Sequence, residues 1–336
     1  MKKYIISMLA MTVLYTGCEK DNFKPDIPKN VYVAGNKWTT NWFNQSDAVV
    51  WNNGKSTMLR ENGHANSVYV VGDDVYVAGQ VAGIATFWKN GKAQNLTDGT
   101  GYADANSIFV SGSEVYVAGF EDIANGDFHT ETVKLWKNSI EQKIGEVINY
   151  GQAKSVFVSG SNVYVVGYVI RDDKYVAVLW KNGEEELLGF GMNFNSVFVS
   201  NNDVYIAGED ISQEYGVVSL WKNGKIQHLT SEETYGHGYS VFASGNDVYV
   251  AGSERNEGAG SGYRNVAIVW KNGVAQNLTD GTQDAYAYSV YVTGNDVYVA
   301  GEQEGVAKLW INGKVYNLNE RTKRHSAEAF SVFVKK

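Results

Sequence analysis

From residue 30 onward, hydrophobic and polar positions alternate in short runs, and the runs recur. Three strings return in fixed order. V-Y-V-A-G or a near copy begins at Val31, Val75, Val115, Val163, Val204, Val248 and Val297. A string built on W-K-N-G has its tryptophan at Trp51, Trp88, Trp136, Trp180, Trp221, Trp270 and Trp310. S-V-F-V or a near copy begins at Ser67, Ser107, Ser155, Ser196, Ser240, Ser289 and Ser331. Alternating β-branched and aromatic residues bounded by Gly, Asn and Asp predict strands. Past the leader, no window of useful length shows a 3.6-residue apolar period.

The links between the strings predict hairpins. Asn-Gly closes the tryptophan strand in every copy except the one at Trp136, and links such as Ser244-Gly245-Asn246-Asp247 join S-V-F-V to V-Y-V. These residues tolerate the positive φ of tight turns. A fourth short strand follows, as at Lys92 to Leu96 or Lys225 to Leu229. The unit is therefore four antiparallel strands: A (S-V-F-V), B (V-Y-V-A-G), C (the tryptophan strand) and D. One unit cannot bury both faces of its sheet, so copies must stack. Seven copies, spaced 37 to 49 residues apart, predict an all-β, seven-bladed β-propeller, with an open solenoid of sheets as the alternative. The body opens on strand B and ends on strand A. One blade must then be composite, with B, C and D from residues 31–60 and A from residues 331–334, which closes the ring and removes a free edge.

Composition sharpens this picture. There are 36 Gly and 2 Pro, where average usage would give about 17 Pro. Both prolines, Pro25 and Pro28, lie in one stretch that reads as a stiff tether, leaving residues 29–336 free for continuous sheet. A single Cys excludes an intrachain disulfide framework and a Cys-based metal cluster. The net charge of -8 argues against a nucleic-acid partner or attraction to anionic lipid.

The leader carries Lys2 and Lys3 and then a mostly apolar run from Tyr4 to Tyr15. The run is too short to span about 30 Å of hydrocarbon and reads as a secretory signal. Leu14-Tyr15-Thr16-Gly17-Cys18 resembles the lipobox of bacterial lipoproteins, and Glu19-Lys20-Asp21 resembles the surface-export signal of Bacteroidetes lipoproteins. The resemblance implies a signal peptide over 1–17, an acylated (palmitate-bearing) Cys18 and a tether over 18–29 ahead of the propeller at 30–336. It also implies an outer-membrane, outward-facing location, with the membrane touched only through the lipid. The repeat unit looks like bacterial propeller repeats in general.

Function is sought where the repeats differ. The seven strand-C tryptophans read as blade-to-blade packing, each burying about 150–250 Å². The seven serines read as small side chains suited to the crowded axis. The A–B and C–D links are tight and share one face, whereas the B–C and D–A links are expected to be long and variable on the other, where a binding site belongs. Three positions before each serine stand His64, Asp104, Gln152, Asn193, His237, Tyr286 and Glu328, expected to ring the channel mouth as a solvated rim.

The five histidines, His64, His129, His228, His237 and His325, lack zinc-ligand spacing. There is no nucleophile elbow and no P-loop. The boxes of sialidase propellers and the motifs of quinoprotein propellers are missing too. Glu121-Asp122 and Glu209-Asp210 are read as solvated loop carboxylates at one repeat position. No catalytic residue, metal or cofactor is expected. The reading is a surface-anchored, non-catalytic binding protein for a glycan or a protein ligand. A polysaccharide-acting glycosidase or lyase, and an assembly partner of an envelope complex, are the alternatives. The sharpest ligand candidates are Trp38, Trp42 and Phe43 in the first B–C loop, beside Arg321, Arg324 and His325 of the last D–A loop. Aromatic planes next to cations would suit a sugar or an acidic glycan.

Overall fold

The computed structural model describes residues 27–39, 46–125, 128–145, 150–212, 215–257, 262–320 and 325–336. These residues form 28 strands and no helix, arranged as seven antiparallel sheets of four strands ordered A-B-C-D from the axis outward. Blade 1 is the composite one. Its strands B (Val31–Thr39), C (Ser46–Asn52) and D (Lys55–Arg60) come from the start of the body, and its strand A (His325–Val334) from the end. The seam runs from Val31 opposite Val334 to Thr39 opposite His325, six residues longer than the four-residue strand A expected at 331–334. The strand-A segments of blades 2 to 7 are Gly63–Val71, Tyr102–Ser111, Gly151–Ser159, Met192–Ser200, Gly236–Ser244 and Ala285–Thr293.

The W-K-N-G asparagine does more than turn the chain. In all seven blades its Oδ1 accepts the N–H of the valine that opens strand B, as from Val75 to Asn90 at 2.8 Å and from Val297 to Asn312 at 2.9 Å. Its own N–H donates back to that valine's carbonyl, at 2.8 Å in the Asn90–Val75 pair. These asparagines have φ between 46° and 55°, a left-handed conformation that Asn tolerates better than most residues. The Trp136 copy keeps the device without glycine: Asn138 and Ser139 have φ of 51° and 66°.

Each tryptophan lies between its own blade and the preceding one. Trp88 packs with Ala34 and Ala48 of blade 1, and Trp310 with Tyr249 and Val269 of blade 6. All seven are at most 6% exposed, so they are scaffold. At the seam, Trp51 also donates its indole N–H to the Leu318 carbonyl of blade 7 at 3.0 Å.

The serines do not act through size alone. Each Oγ accepts a backbone N–H from the next blade, at 3.1–3.2 Å. Val68 donates to Ser331, Ile108 to Ser67, Val156 to Ser107, Val197 to Ser155, Val241 to Ser196, Val290 to Ser240 and Val332 to Ser289. The ring of seven closes on itself. It requires a β-bulge just before every serine, found at the same place in all blades. The bulge sets two residues of strand A against one of strand B, so the residue before each serine stands outside the pairing and strand A bends there.

The bulge explains the glycine of V-Y-V-A-G. A Cβ at Gly35, Gly79, Gly119, Gly167, Gly208, Gly252 or Gly301 would lie 1.9–2.0 Å from a strand-A carbonyl oxygen, that of the residue just before its register partner (Glu328, His64, Asp104, Gln152, Asn193, His237 and Tyr286). Two positions beyond each serine, Tyr69, Phe109, Phe157, Phe198, Phe242, Tyr291 and Phe333 form a second closed ring, with neighbouring centroids 4.4–5.0 Å apart. The plain end of the channel is lined by seven aromatic rings.

The links depart from expectation. The B–C connections at Ala82-Gly83, Asp172-Asp173 and Glu304-Gly305 are two-residue turns, and one D–A connection is Gly191 alone. Positive φ at Ala82, Asp172, Asp173, Glu304 and Gly191 makes such tight links feasible. The loop face is therefore uneven, and the strand ends beneath it come close to its surface.

Candidate functional site

Above the aromatic ring, on the B–C and D–A side, strand-A side chains of all seven blades converge at the mouth of the channel. His64, Asp104, Gln152, Asn193, His237, Tyr286 and Glu328 stand there at equivalent positions, opposite Gln80, Phe120, Tyr168, Glu209, Ser253, Glu302 and Asn36 of strand B. One tier deeper lies the bulge residue before each serine: Asn66, Asn106, Lys154, Asn195, Tyr239, Tyr288 and Phe330. Sequence reading missed this tier. Its signal was present, because three successive repeats carry an aromatic where the other four carry Asn or Lys.

The rim is not the solvated one expected. Blades 2 to 5 form a polar arc with nearly every group bonded. The Asn36 amide donates to His64 Nδ1 at 2.8 Å, which leaves Nε2–H to meet Ser46 Oγ at 3.3 Å, and burial lowers the His64 pKa. Asn66 donates to Asp104 at 2.8 Å and to the Ala105 carbonyl at 3.2 Å. Gln152 donates to Glu131 at 3.0 Å and accepts from Lys154 at 2.6 Å. Lys154 Nζ lies over the Tyr168 ring, 5.5 Å from its centroid. Its pKa is lowered chiefly by burial, against the opposing pull of Glu131, Asp104 and Glu209.

Glu209 is 2% exposed and accepts from Asn193 at 2.6 Å, from Asn195 at 3.2 Å and from the Gly238 N–H at 3.3 Å. It is thus a buried strand residue and not a solvated loop carboxylate. Nor does it share a repeat position with Glu121. Gly119 and Gly208 are equivalent, so Phe120 faces the mouth where Glu209 does. Glu121 lies opposite Ala103 and is 3.0 Å from Lys134 on the other face.

Blades 6, 7 and 1 form an aromatic arc opposite. Tyr235 meets His237 edge-on at 4.8 Å, and His237 stacks on Tyr239 at 5.7 Å. Tyr239, Tyr288 and Phe330 follow in a chain, each centroid 5.2 Å from the next. Tyr286 lies parallel to Tyr288, 2° apart in plane and 5.8 Å between centroids, and its hydroxyl accepts from Asn265 at 2.7 Å. Arg255 lies against both Tyr235 and Tyr263, 5.6 and 5.4 Å from their centroids.

Two carboxyls in this mouth titrate near neutral pH, well above the ordinary carboxylate range. Burial pushes Asp104 up to about 7, opposed by its bond from Asn66 and by Lys154. Burial and then the charge of Glu302 push Glu328 up to about 7. Unfolding returns both to ordinary carboxylate values of about 4. Below about pH 4 both states are protonated and nothing is lost. Between about pH 4 and 7 only the unfolded state ionises, so these groups increasingly favour unfolding as pH rises. Asp104→Asn and Glu328→Gln should therefore gain stability over the parent progressively from pH 4 to 8, measured by urea denaturation. A gain independent of pH would contradict the burial of these carboxyls.

The other ligand candidates are only partly within view. Trp38 lies near the end of strand B in blade 1, opposite Ser46 and Ser326, and the partial exposure of its side chain leaves it at the loop face. His325 begins strand A, opposite Thr39. Trp42, Phe43, Arg321 and Arg324 lie outside the described residues, as does Cys18. Among the described residues, no group of three or more His, Cys, Asp or Glu side chains could hold a metal ion. Among them too, no helix is long and apolar enough to cross a membrane.

No family model and no curated protein matches the sequence. Solved structures do match in shape. A Pyrococcus horikoshii acylaminoacyl peptidase superposes with a TM-score of 0.53 at 15% identity, over 87% of this chain and 51% of its own. A prolyl endopeptidase gives 0.51 at 12% identity, over 90% of this chain and 49% of its own. The present chain thus spans about half the length of those two enzymes. The propeller domain of the Trilobed protease from Pyrococcus furiosus, described as having an open velcro topology, gives 0.52 at 12% identity, over 87% of this chain and 96% of its own. In the present chain, by contrast, the C-terminal strand sews blade 1 shut. At these identities the likeness is one of fold: the chain is a seven-bladed β-propeller.

Proposed function

We propose that the protein is a surface-anchored binding protein that takes a glycan into the channel mouth without cleaving it. The observation that carries this reading is the division of the mouth into an aromatic arc (Tyr239, Tyr286, Tyr288, Phe330) and a polar arc (Asp104, Gln152, Lys154, Asn193). A sugar ring has the same division, with C–H faces that stack on aromatics and hydroxyl edges that exchange hydrogen bonds.

The test is a screen of the full chain against a polysaccharide panel, with the supernatants checked for shortened products. Tyr239→Ala combined with Tyr288→Ala should weaken binding about 30-fold, two stacking contacts being worth about 2 kcal/mol together. Trp38→Ala should leave it unchanged. Loss through Trp38 alone would move the site to the first B–C loop.

A second reading rests on the raised Asp104 and Glu328 carboxyls, since a protonated carboxyl near neutral pH can serve as a general acid. Released oligosaccharides that disappear in Glu328→Gln or Asp104→Asn would establish a glycosidase or lyase in place of a binder.

The lipoprotein resemblance at Cys18 supports anchoring at the outer membrane, facing outward. Cys18→Ala should then release a folded propeller into the soluble fraction. A variant still recovered with membranes after fractionation would remove the lipid anchor from this reading.

A further inference from the structure

We propose that Lys154 is a nucleophilic amine that captures a carbonyl group in the channel mouth as a reversible imine. A glycan would then enter by its reducing end, the end whose ring opens to an aldehyde. The class of ligand rests on the glycan reading above, and the covalent chemistry at Lys154 goes beyond it.

Lys154 is the bulge residue of blade 4, between Asn106 of blade 3 and Asn195 of blade 5. Both amides are engaged with the next blade, Asn106 donating to the Ala153 carbonyl at 2.8 Å and Asn195 to the Gly238 carbonyl at 3.0 Å. Lys154 Nζ donates to the neutral Gln152 amide at 2.6 Å and lies over the Tyr168 ring. Among the described residues it makes no ion pair. Lys134 shows the ordinary alternative. Its side chain is 7% exposed, and Glu121 and Glu141 each lie 3.0 Å from its Nζ. Against the lowering effect of burial, those acids raise the Lys134 pKa.

Three carboxylates pull on Lys154 from a distance, and each is held by other partners. Glu131 accepts from Gln152 at 3.0 Å and from the Tyr168 hydroxyl. Asp104 accepts from Asn66 at 2.8 Å. Glu209 accepts from Asn193, Asn195 and the Gly238 N–H, and lies 3.5 Å from His237. The remaining titratable groups on this side are Tyr168, raised by burial and then by Glu131, and Tyr175, whose ring lies 5.0 Å from that of Tyr168. Burial therefore prevails at Lys154 and lowers its pKa. A desolvated lysine without a counter-ion reaches its neutral, nucleophilic form more readily than an exposed one. The residue is only partly buried, so a small carbonyl group can reach it.

In the step itself, the amine nitrogen bonds to the carbonyl carbon, and the carbonyl π pair moves onto oxygen. One nitrogen proton passes to that oxygen. The second leaves with the hydroxyl as water, and C=N remains. No oxidant or reductant is needed, and water reverses the reaction. Asp104, pushed by burial up to about 7, is a group in the mouth able to pass these protons near neutral pH.

The test incubates the full chain with glyceraldehyde, a three-carbon sugar aldehyde, and sodium cyanoborohydride at pH 7. Hydride from the reagent fixes each imine as a stable amine, and peptide mass mapping reads the labelled lysines over time. Lys154 should be labelled at least about tenfold faster than the exposed Lys92 and Lys225, the gain in neutral amine from a one-unit fall in pKa. Gln152→Glu sets a carboxylate against the amine and should slow the labelling of Lys154 at least about tenfold. Labelling no faster than at Lys92 and Lys225 would overturn the imine and leave the glycan reading standing. So would an unchanged rate in a folded Gln152→Glu variant. Should that variant not fold, the pH midpoint of labelling in the parent decides: a midpoint at Lys154 below that at Lys92 supports the proposal, and an equal one overturns it. Fast labelling of Lys154 alongside an empty polysaccharide screen would keep the carbonyl site and overturn the glycan reading. Slow labelling with an empty screen would overturn both.

Discussion

Removal of residues 331–336 should abolish cooperative folding of the propeller and yield a chain that aggregates at micromolar concentration. The deletion takes away Ser331, Val332, Phe333 and Val334 from strand A of blade 1. It strips the pairing partners of Val31, Tyr32, Val33 and Ala34. Both serine-ring bonds at the seam disappear, Val68 to Ser331 at 3.1 Å and Val332 to Ser289 at 3.2 Å. The aromatic ring loses Phe333, whose ring lies 4.8 Å from Tyr69 and 5.0 Å from Tyr291. Burial of two valines and a phenylalanine alone is worth roughly 6–10 kcal/mol, comparable with the whole stability of an ordinary domain. The exposed inner edge of strand B would also template pairing between molecules. Circular dichroism melts and light scattering of the truncated chain read the result. An unchanged melting transition would mean that the ring does not depend on its composite blade.

Gly208→Ala should cost at least about 3 kcal/mol in urea denaturation, the upper range for overpacking. The added methyl would lie 2.0 Å from the Asn193 carbonyl oxygen and 2.7 Å from the Phe194 Cα. Both obstacles are backbone, pinned by the bulge in strand A of blade 5 and by the Ser155 and Ser196 bonds on either side. Neither can swing aside as a side chain could. Gly224→Ala provides the comparison. Gly224 has φ of +87° and nothing within 4 Å of its added Cβ, so only left-handed strain applies, about 1–2 kcal/mol. Equal losses in the two variants would show that close approach of the strands is not the reason for glycine in V-Y-V-A-G. Because the Asn193 carbonyl would be displaced, the Asn193–Glu209 bond of the polar arc should weaken in Gly208→Ala as well.

The strand architecture was legible because its causes are local. Alternation over four or five residues defines a strand, Asn-Gly defines a hairpin, and seven copies define the number of blades. Even the composite blade followed from the order of strings along the chain, as the pairing of Val31 with Val334 bears out. The burial of Trp51, Trp88 and their five counterparts followed in the same way, from their recurrence.

The mouth was legible only in outline. His64, Asp104 and their counterparts could be placed at one height by counting back from the serines. What those side chains meet could not be counted. The β-bulge before each serine ends the simple two-residue alternation along strand A, so the face of every side chain beyond it must be read from the fold. For that reason the tier of Asn66, Lys154, Tyr239 and Tyr288 went unseen, and the serines passed for packing residues. Glu121 and Glu209 read as equivalent because each opens a Glu-Asp pair near the end of strand B, but the pairing turns on Gly119 and Gly208, which puts Phe120 level with Glu209.

The sequence by itself thus determined the repeating strand, its turns, the count of blades and the way the ring is sewn, all of which depend on neighbours a few residues apart or on the order of copies. Only the tertiary structure decided which groups face one another across the axis. Crowding there forces a bulge in every blade, closes the serine and aromatic rings between residues about 40 or more positions apart, and divides the mouth into one arc of rings and another of polar groups.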